Sequence, residues 1–188
     1  SLETSFDKVV KSMRVLILGA SGLIGSGLFN RLSRLMSCEV LGLVRNAGDK
    51  NLFHSILHKN IIYYRDFNDL GALQKKLIEI QPTSIINCIG VTKHSKSIEN
   101  QSLSIFINSI LPIRLSEICR EQDIKFIHVS TDCVFSGSQG NYTDYDQPDS
   151  LEFYGRTKAL GEALEQSALI LRTSTIGHEL NSAYGLLD

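Results

Sequence analysis

A chain of 188 residues that is 43% hydrophobic and 21% charged has the size and balance of one globular domain, which excludes disordered and fibrous classes. Its formal net charge of −1 gives no electrostatic footprint for nucleic acid. No apolar run approaches the length of a membrane span, so no membrane association is expected.

No secretory signal pattern opens the sequence. Its four cysteines, Cys38, Cys88, Cys119 and Cys133, form no CxxC pair. They read as reduced thiols of a cytoplasmic protein. His54 and His58 stand four residues apart, but no carboxylate or cysteine joins them at ligand spacing. They read as solvated or capping residues, and no metal site is expected.

Residues 1–12 read as a leading arm or a cloning remnant, and 13–188 as one domain. Arg14 to Leu18 is a short apolar run suited to a buried parallel strand. Gly19-Ala20-Ser21-Gly22-Leu23-Ile24-Gly25 follows at once, and an amphipathic helix is expected to about Met36. Strand, glycine turn and helix form a pyrophosphate cradle. Gly19 permits the turn, Gly22 the approach of the phosphates, and Gly25 close helix packing. The spacing is GxxGxxG rather than GxGxxG. The turn residues Gly19, Ser21, Gly22, Leu23, Ile24 and Gly25 are therefore candidate dinucleotide contacts.

Val40 to Val44 predicts a second strand with Arg45 at its end. An arginine there, in place of an acid, favours a ribose 2′-phosphate. NADP(H) is thus the preferred cofactor, with NAD(H) the alternative. A third strand, 61–64, ends near Asp66 and Phe67, candidates for the adenine amine and ring. Residues 69–80 predict a helix stopped before Pro82. Ser84 to Gly90 reads as a fourth strand, with Cys88 and Gly90 beneath the cofactor. Lys93 to Gln101 is polar and reads as a loop. A long helix from Leu103 to Gln122 carries Asn108 and Pro112, the proline expected to kink it or to sit at a freed carbonyl.

The fifth strand, 124–129, ends in Ser130-Thr131-Asp132, and 136–150 is a loop rich in glycine, asparagine and aspartate. Tyr154 and Lys158 lie four apart, so a helix puts both on one face. An ammonium beside the phenol is expected to lower its pKa, fitting it for proton transfer to an oxygen. A sixth strand spans 169–172, and 173–188 is too short for another domain. The alternation predicts an α/β fold with a doubly wound parallel sheet.

Three motifs occur in order: the glycine turn 19–25, Ser130-Thr131-Asp132-Cys133-Val134-Phe135-Ser136-Gly137, and Tyr154-Gly155-Arg156-Thr157-Lys158-Ala159-Leu160-Gly161-Glu162. Together they resemble the extended short-chain dehydrogenase/reductases, and most closely the dTDP-4-dehydrorhamnose reductase group, over nearly all of residues 13–177. The resemblance implies an NAD(P)-binding Rossmann fold. It implies hydride transfer to the C4 ketone of a nucleotide-linked deoxysugar, for surface polysaccharide precursors. It gives Tyr154 the role of general acid, Lys158 that of holding the nicotinamide ribose, and Thr131 that of bonding the ketone oxygen. Tyr154 and Lys158 thereby also become cofactor contacts. A homodimer is a further expectation.

Two places depart from the group's pattern. Cys133 stands where tyrosine is usual, and Val91-Thr92-Lys93-His94-Ser95-Lys96 replaces a Tyr-Thr-Val-Asp-like stretch. The cysteine is closer to reductases of 2-acetamido-2,6-dideoxyhexos-4-uloses. The C-terminal substrate region of the group is expected to be largely absent from this chain, which stops at Asp188. Two alternatives stand beside the reductase: an epimerase or dehydratase on the same scaffold, and a non-catalytic NADP-binding regulatory subunit.

Overall fold

Val15, Leu16, Ile17 and Leu18 form an uninterrupted apolar strand that is buried on both sides of a sheet. In the computed structural model, which describes residues 13–35, 38–92, 96–164 and 166–174, this strand is β1 (Arg14–Leu18). The expected leading arm 1–12, residues 93–95 of the polar loop and the stretch 175–188 lie outside the described residues. The other strands are β2 (Glu39–Val44), β3 (Ile61–Tyr63), β4 (Ser84–Asn87), β5 (Lys125–Thr131) and β6 (Leu169–Thr173). They pair in parallel in the order β3-β2-β1-β4-β5-β6, a doubly wound Rossmann sheet. The strand order reverses between β1 and β4, so the ligand crevice of such a sheet opens at their C-terminal ends.

The helices are α1 (Leu23–Leu32), α2 (Leu70–Ile80), α3 (Gln101–Ile105), α4 (Leu111–Glu121) and α5 (Phe153–Leu160). Alternation along β1 divides the core in two. Val15 and Ile17 meet Phe29 of α1 on one face. Leu16 and Leu18 meet Leu73 and Leu77 of α2 and Leu111 and Leu115 of α4 on the other. Each such side chain, fully buried, stabilises the fold by roughly 1.5–3 kcal/mol. The Phe29 ring is edge-on to Phe53, with centroids 5.2 Å apart.

Several boundaries differ from expectation. α1 ends at Leu32, because Arg34 N and Leu35 N bond the carbonyls of Arg31 and Leu32 and tighten the last turn. β4 stops at Asn87, whose Oδ1 accepts from Ile89 N at 3.1 Å and bends the chain. β5 reaches Thr131, since Ser130 and Thr131 pair with Arg172 and Thr173 of β6. α2 opens with Asp69 accepting from Ala72 N at 2.9 Å and closes on Gln81 at φ 53°, just before Pro82.

The expected kinked helix starts earlier, at Gln101, capped by Asn100 accepting from Leu103 N. Residues 96–99 of the expected loop form a 3₁₀ turn. A π turn, Phe106–Ile110, joins α3 to α4. Pro112 falls in the first turn of α4, where its missing N–H removes least. Within the continuous stretch Gln101–Glu121, an 18-residue segment with mean hydropathy 1.3 is long and apolar enough to cross a membrane, contrary to the sequence reading. Half of that segment is buried, as in a core helix.

Candidate active site

The glycine turn sits at the C-terminal end of β1, at the strand-order reversal. Gly19 has φ +75°, and the N–H groups of Gly19 and Ala20 both donate to Leu43 O at 3.1 Å, anchoring the turn on β2. A Cβ on Gly25 would lie 2.1 Å from Gly19 O, so only glycine lets α1 start this close to the turn. Gly22 differs. A Cβ there would meet nothing nearer than Gly19 O at 3.4 Å.

Gly22 is the N-cap of α1 and offers no side-chain oxygen. The first helical bond runs from Ser26 N to Gly22 O at 2.8 Å. The N–H groups of Leu23, Ile24 and Gly25 therefore have no intrahelical acceptors, and the positive end of the helix dipole lies over them. Ser21 is half-buried beside them. Open space at Gly22 and uncapped amides fit a pyrophosphate. The sequence reading missed Gly42 in β2, whose Cβ would come within 2.9 Å of the Ala20 Cβ and 3.1 Å of Phe29. It lets α1 lie down on the sheet.

The remaining cofactor candidates follow the same sheet edge. Arg45 is exposed immediately past β2. Asp66 is exposed past β3, and its carbonyl accepts from the Tyr64 hydroxyl at 2.9 Å. Phe67 is buried in the core, edge-on to Tyr64 at 5.3 Å, so packing accounts for its apolar character. Cys88 follows β4, and burial pushes its thiol up to about 12, leaving it neutral. A Cβ on Gly90 would lie 3.6 Å from Asn108 Oδ1 and 3.9 Å from Lys158 Nζ, so Gly90 borders α5, which carries Lys158. His54 Nδ1 caps a 3₁₀ turn by accepting from Ile56 N, and His58 Nε2 bonds Phe53 O at 3.0 Å.

Two more glycines seat α5. A Cβ on Gly155 would lie 2.2 Å from Cys133 O, and one on Gly161 would lie 2.0 Å from Asn108 O. At this range Lys158, only 4% exposed, donates from Nζ to Val129 O at 2.9 Å. Burial pulls its pKa down to about 8, against the opposing pull of Glu162 and Cys88. Tyr154 stands one turn earlier on the same face. Thr131 is buried at the end of β5, accepts from Cys133 N at 3.2 Å, donates to Asp132 Oδ1 at 3.2 Å, and lies close enough to the phenol to pull its pKa down. The structure thus brings Thr131, Tyr154 and Lys158 together at the C-terminal sheet edge.

One electrostatic expectation is corrected. Burial, with Cys133 and Asp132 nearby, raises the Tyr154 pKa, and the opposing pull comes from Thr131. Lys158 turns its ammonium to the Val129 carbonyl instead of lowering the phenol. The phenol is therefore held protonated at neutral pH.

Asn108, in the π turn, is fully buried and holds α5 in place. Its Oδ1 accepts from Val91 N at 2.8 Å, and its Nδ2 donates to Val91 O at 3.0 Å and to Thr157 Oγ1 at 3.1 Å. Ser109 Oγ donates to Thr157 O at 2.7 Å. The wider π turn aims two adjacent polar side chains at one helix. Nearby, Asn87 Nδ2 donates to His128 Nδ1 at 3.1 Å. Burial drives His128 down to about 3, so the imidazole is neutral. Its Nε2 has no hydrogen-bond partner among the described residues.

Past β5, the chain forms a cleft of about 470 Å³ lined by Asp132, Cys133, Phe135, Tyr142, Asp144 and Arg172, among others. A hydrogen bond from Ser174 holds the Asp132 carboxyl below its usual range. The loop is tied chiefly to itself. Asp149 accepts from Ser136 N at 2.6 Å, Ser136 Oγ at 2.7 Å and Tyr142 OH at 2.9 Å. Phe135 stacks on Tyr142 at 4.4 Å.

Residues 13–184 match the family described as RmlD substrate binding domain. A probable low-salt glycan biosynthesis reductase of Haloferax volcanii is 31% identical, over 87% of this chain and 54% of that protein. The crystal structure of a hypothetical dTDP-4-dehydrorhamnose reductase from Sulfolobus tokodaii superposes with a TM-score of 0.73 at 33% identity, covering 88% of this chain and 57% of that one. A dTDP-4-dehydrorhamnose reductase from Bacillus anthracis, solved in complex with NADP, gives 0.67 at 26% identity, covering 85% and 52%. The chain spans about half the length of the curated relatives it matches. Since the family match runs through every strand of the sheet, from β1 to β6, this chain belongs to the RmlD substrate binding domain family of extended short-chain dehydrogenase/reductases.

Proposed function

We propose that the chain carries the cofactor-binding and catalytic machinery of an NADP(H)-dependent reductase. Its substrate is the C4 ketone of a nucleotide-linked deoxysugar, and its product is a surface polysaccharide precursor. The observation that carries this reading is the convergence of Thr131, Tyr154 and Lys158 at the sheet edge that also holds the glycine turn. The B. anthracis relative holds NADP, and the H. volcanii relative is named for glycan biosynthesis.

The nicotinamide, when bound, supplies the hydride. The uncapped amides of α1 hold the pyrophosphate, and Arg45 reads the 2′-phosphate. Tyr154 gives its phenolic proton to the ketone oxygen, for which its raised pKa keeps the proton in place at pH 7. Thr131 bonds the same oxygen and orients the carbonyl. Lys158, pulled down to about 8 by burial, is charged at pH 7 and fit to hold ribose hydroxyls. Proton transfer from a positioned acid contributes about 10²–10⁴-fold.

The test is NADPH oxidation by the full-length protein with dTDP-4-keto-6-deoxyhexose and with UDP-2-acetamido-4-keto-6-deoxyhexose. Turnover of one is expected. Tight NADPH binding without turnover of either favours a non-catalytic, NADP-binding subunit. Arg45→Asp should lower the NADPH-over-NADH preference by about 10–100-fold, the worth of one charge-assisted bond of roughly 1.5–3 kcal/mol. An unchanged ratio of the two affinities removes Arg45 from 2′-phosphate recognition.

A further inference from the structure

The end of β5 and one face of the Tyr154 helix meet residue for residue. Val129 O accepts from Lys158 Nζ at 2.9 Å. Ser130 Oγ donates to Glu162 Oε1 at 2.5 Å. Thr131 lies against the Tyr154 phenol and pulls its pKa down. Tyr154, Lys158 and Glu162 recur at four-residue steps, the third just beyond the C-cap Gly161. The reductase reading gives the first two a task and leaves Glu162 without one.

Glu162 is held as firmly as they are, with only 6% of its side chain exposed. Arg172 Nε donates to both of its oxygens at 3.1 Å, and a second guanidinium nitrogen reaches Oε2 at 2.7 Å. Arg172 is the β6 residue opposite Ser130, and its guanidinium lies 5.0 Å from the centre of the Phe135 ring. An apolar pair of the same volume would join these elements at least as well, because burying two charges costs much of what their attraction returns. The charge itself therefore calls for a use.

The surroundings of Lys158 supply one. Cys88 faces it from the end of β4, His128 from β5, and Tyr154 and Glu162 from its own helix region, with Arg172 of β6 behind Glu162. Cys88 is a neutral thiol and His128 a neutral imidazole. Tyr154 is a protonated phenol. Of these groups, Glu162 alone carries negative charge at pH 7, and Arg172 tempers it.

We propose that Glu162 is a positioning residue that acts through Lys158: paired with Arg172, it pins the helix to Ser130 and keeps the buried ammonium charged where the cofactor ribose and the phenol need it. This rests on the reductase reading of Tyr154 and Lys158. It goes beyond that reading by giving the Glu162–Arg172 pair control of the site's working pH range. Burial has already brought Lys158 close to neutrality. Removing its counter-charge lowers it further.

The two members of the pair must then act with opposite sign. Glu162→Gln leaves Arg172 unopposed and should shift the Lys158 titration down by about one pH unit or more. Arg172→Gln leaves Glu162 unopposed and should shift it up. Glu162→Asp and Arg172→Lys keep the charges and should restore the wild-type value to within about half a unit. The titration is read on the cofactor-free, full-length protein by NMR of 13C-labelled lysine, with the Lys158 signal assigned by its loss in Lys158→Arg. Because this readout needs no turnover, it stands whether or not the reductase reading does. Opposite shifts support the proposal. Shifts of the same sign, or none, overturn it, since lost packing has no reason to change sign with the charge removed. If Glu162→Gln does not fold, Arg172→Gln decides: an upward shift supports the proposal, and no shift ends it.

Discussion

Tyr154→Phe should lower NADPH-dependent turnover by about 10²–10⁴-fold, the usual contribution of a positioned acid, with NADPH affinity within about threefold of wild type. The ring remains in its half-buried place on α5 beside Thr131. Only the hydroxyl is lost, so helix seating and the Lys158–Val129 bond are undisturbed. Steady-state kinetics beside a cofactor-fluorescence titration separates the two effects. Activity within tenfold of wild type would show that another group protonates the ketone. An equal loss of cofactor affinity and turnover would place Tyr154 in binding alone.

The second large effect distinguishes two glycines of one motif. Gly25→Ala forces a Cβ to within 2.1 Å of Gly19 O, a backbone atom that cannot swing aside. Such overpacking should cost about 3 kcal/mol, or roughly 6–12 °C in Tm for a chain of this length. Gly22→Ala places its Cβ at ordinary contact distance, and the backbone at φ −78° accepts alanine. That variant should melt within about 2 °C of wild type yet bind NADPH at least about tenfold more weakly, because the methyl occupies the space left for phosphate. Thermal unfolding and fluorescence titration of both variants give the comparison. Equal melting points would mean that the turn relaxes around Gly25. Unchanged affinity in Gly22→Ala would mean that the pyrophosphate does not lie over this turn.

Much of this was legible because it is local. Arg14 to Gly25 declares strand, turn and helix within a dozen residues, and the four-residue step from Tyr154 to Lys158 sets a shared face. What was hidden depends on partners distant in sequence. Asn108 was visible as a polar residue in an apolar helix, but its three bonds to Val91 and Thr157 need a π turn and a helix from elsewhere. Gly42 reads as a weak strand residue until α1 is laid across it. The direction of the Tyr154 shift was misread for a related reason. Spacing says which residues share a face, whereas desolvation and the pull of the Val129 carbonyl on Lys158 arise only when the face is covered.

The self-contained bonding of the stretch from Phe135 to Ser150 bears on how this protein changes over evolutionary time. Asp149 and Tyr142 close the stretch upon Ser136, and Asp149 N and Ser150 N return to Val134 O, next to the strand end. The excursion between these ties therefore begins and ends at nearly the same place. Its interior can lengthen, shorten or exchange side chains with little strain passed to Thr131 or Tyr154. Thr131 and Tyr154 stand on the strand and the helix, and the cleft wall on a detachable loop. A lineage can then reshape the cleft by editing the loop, with both residues left in place.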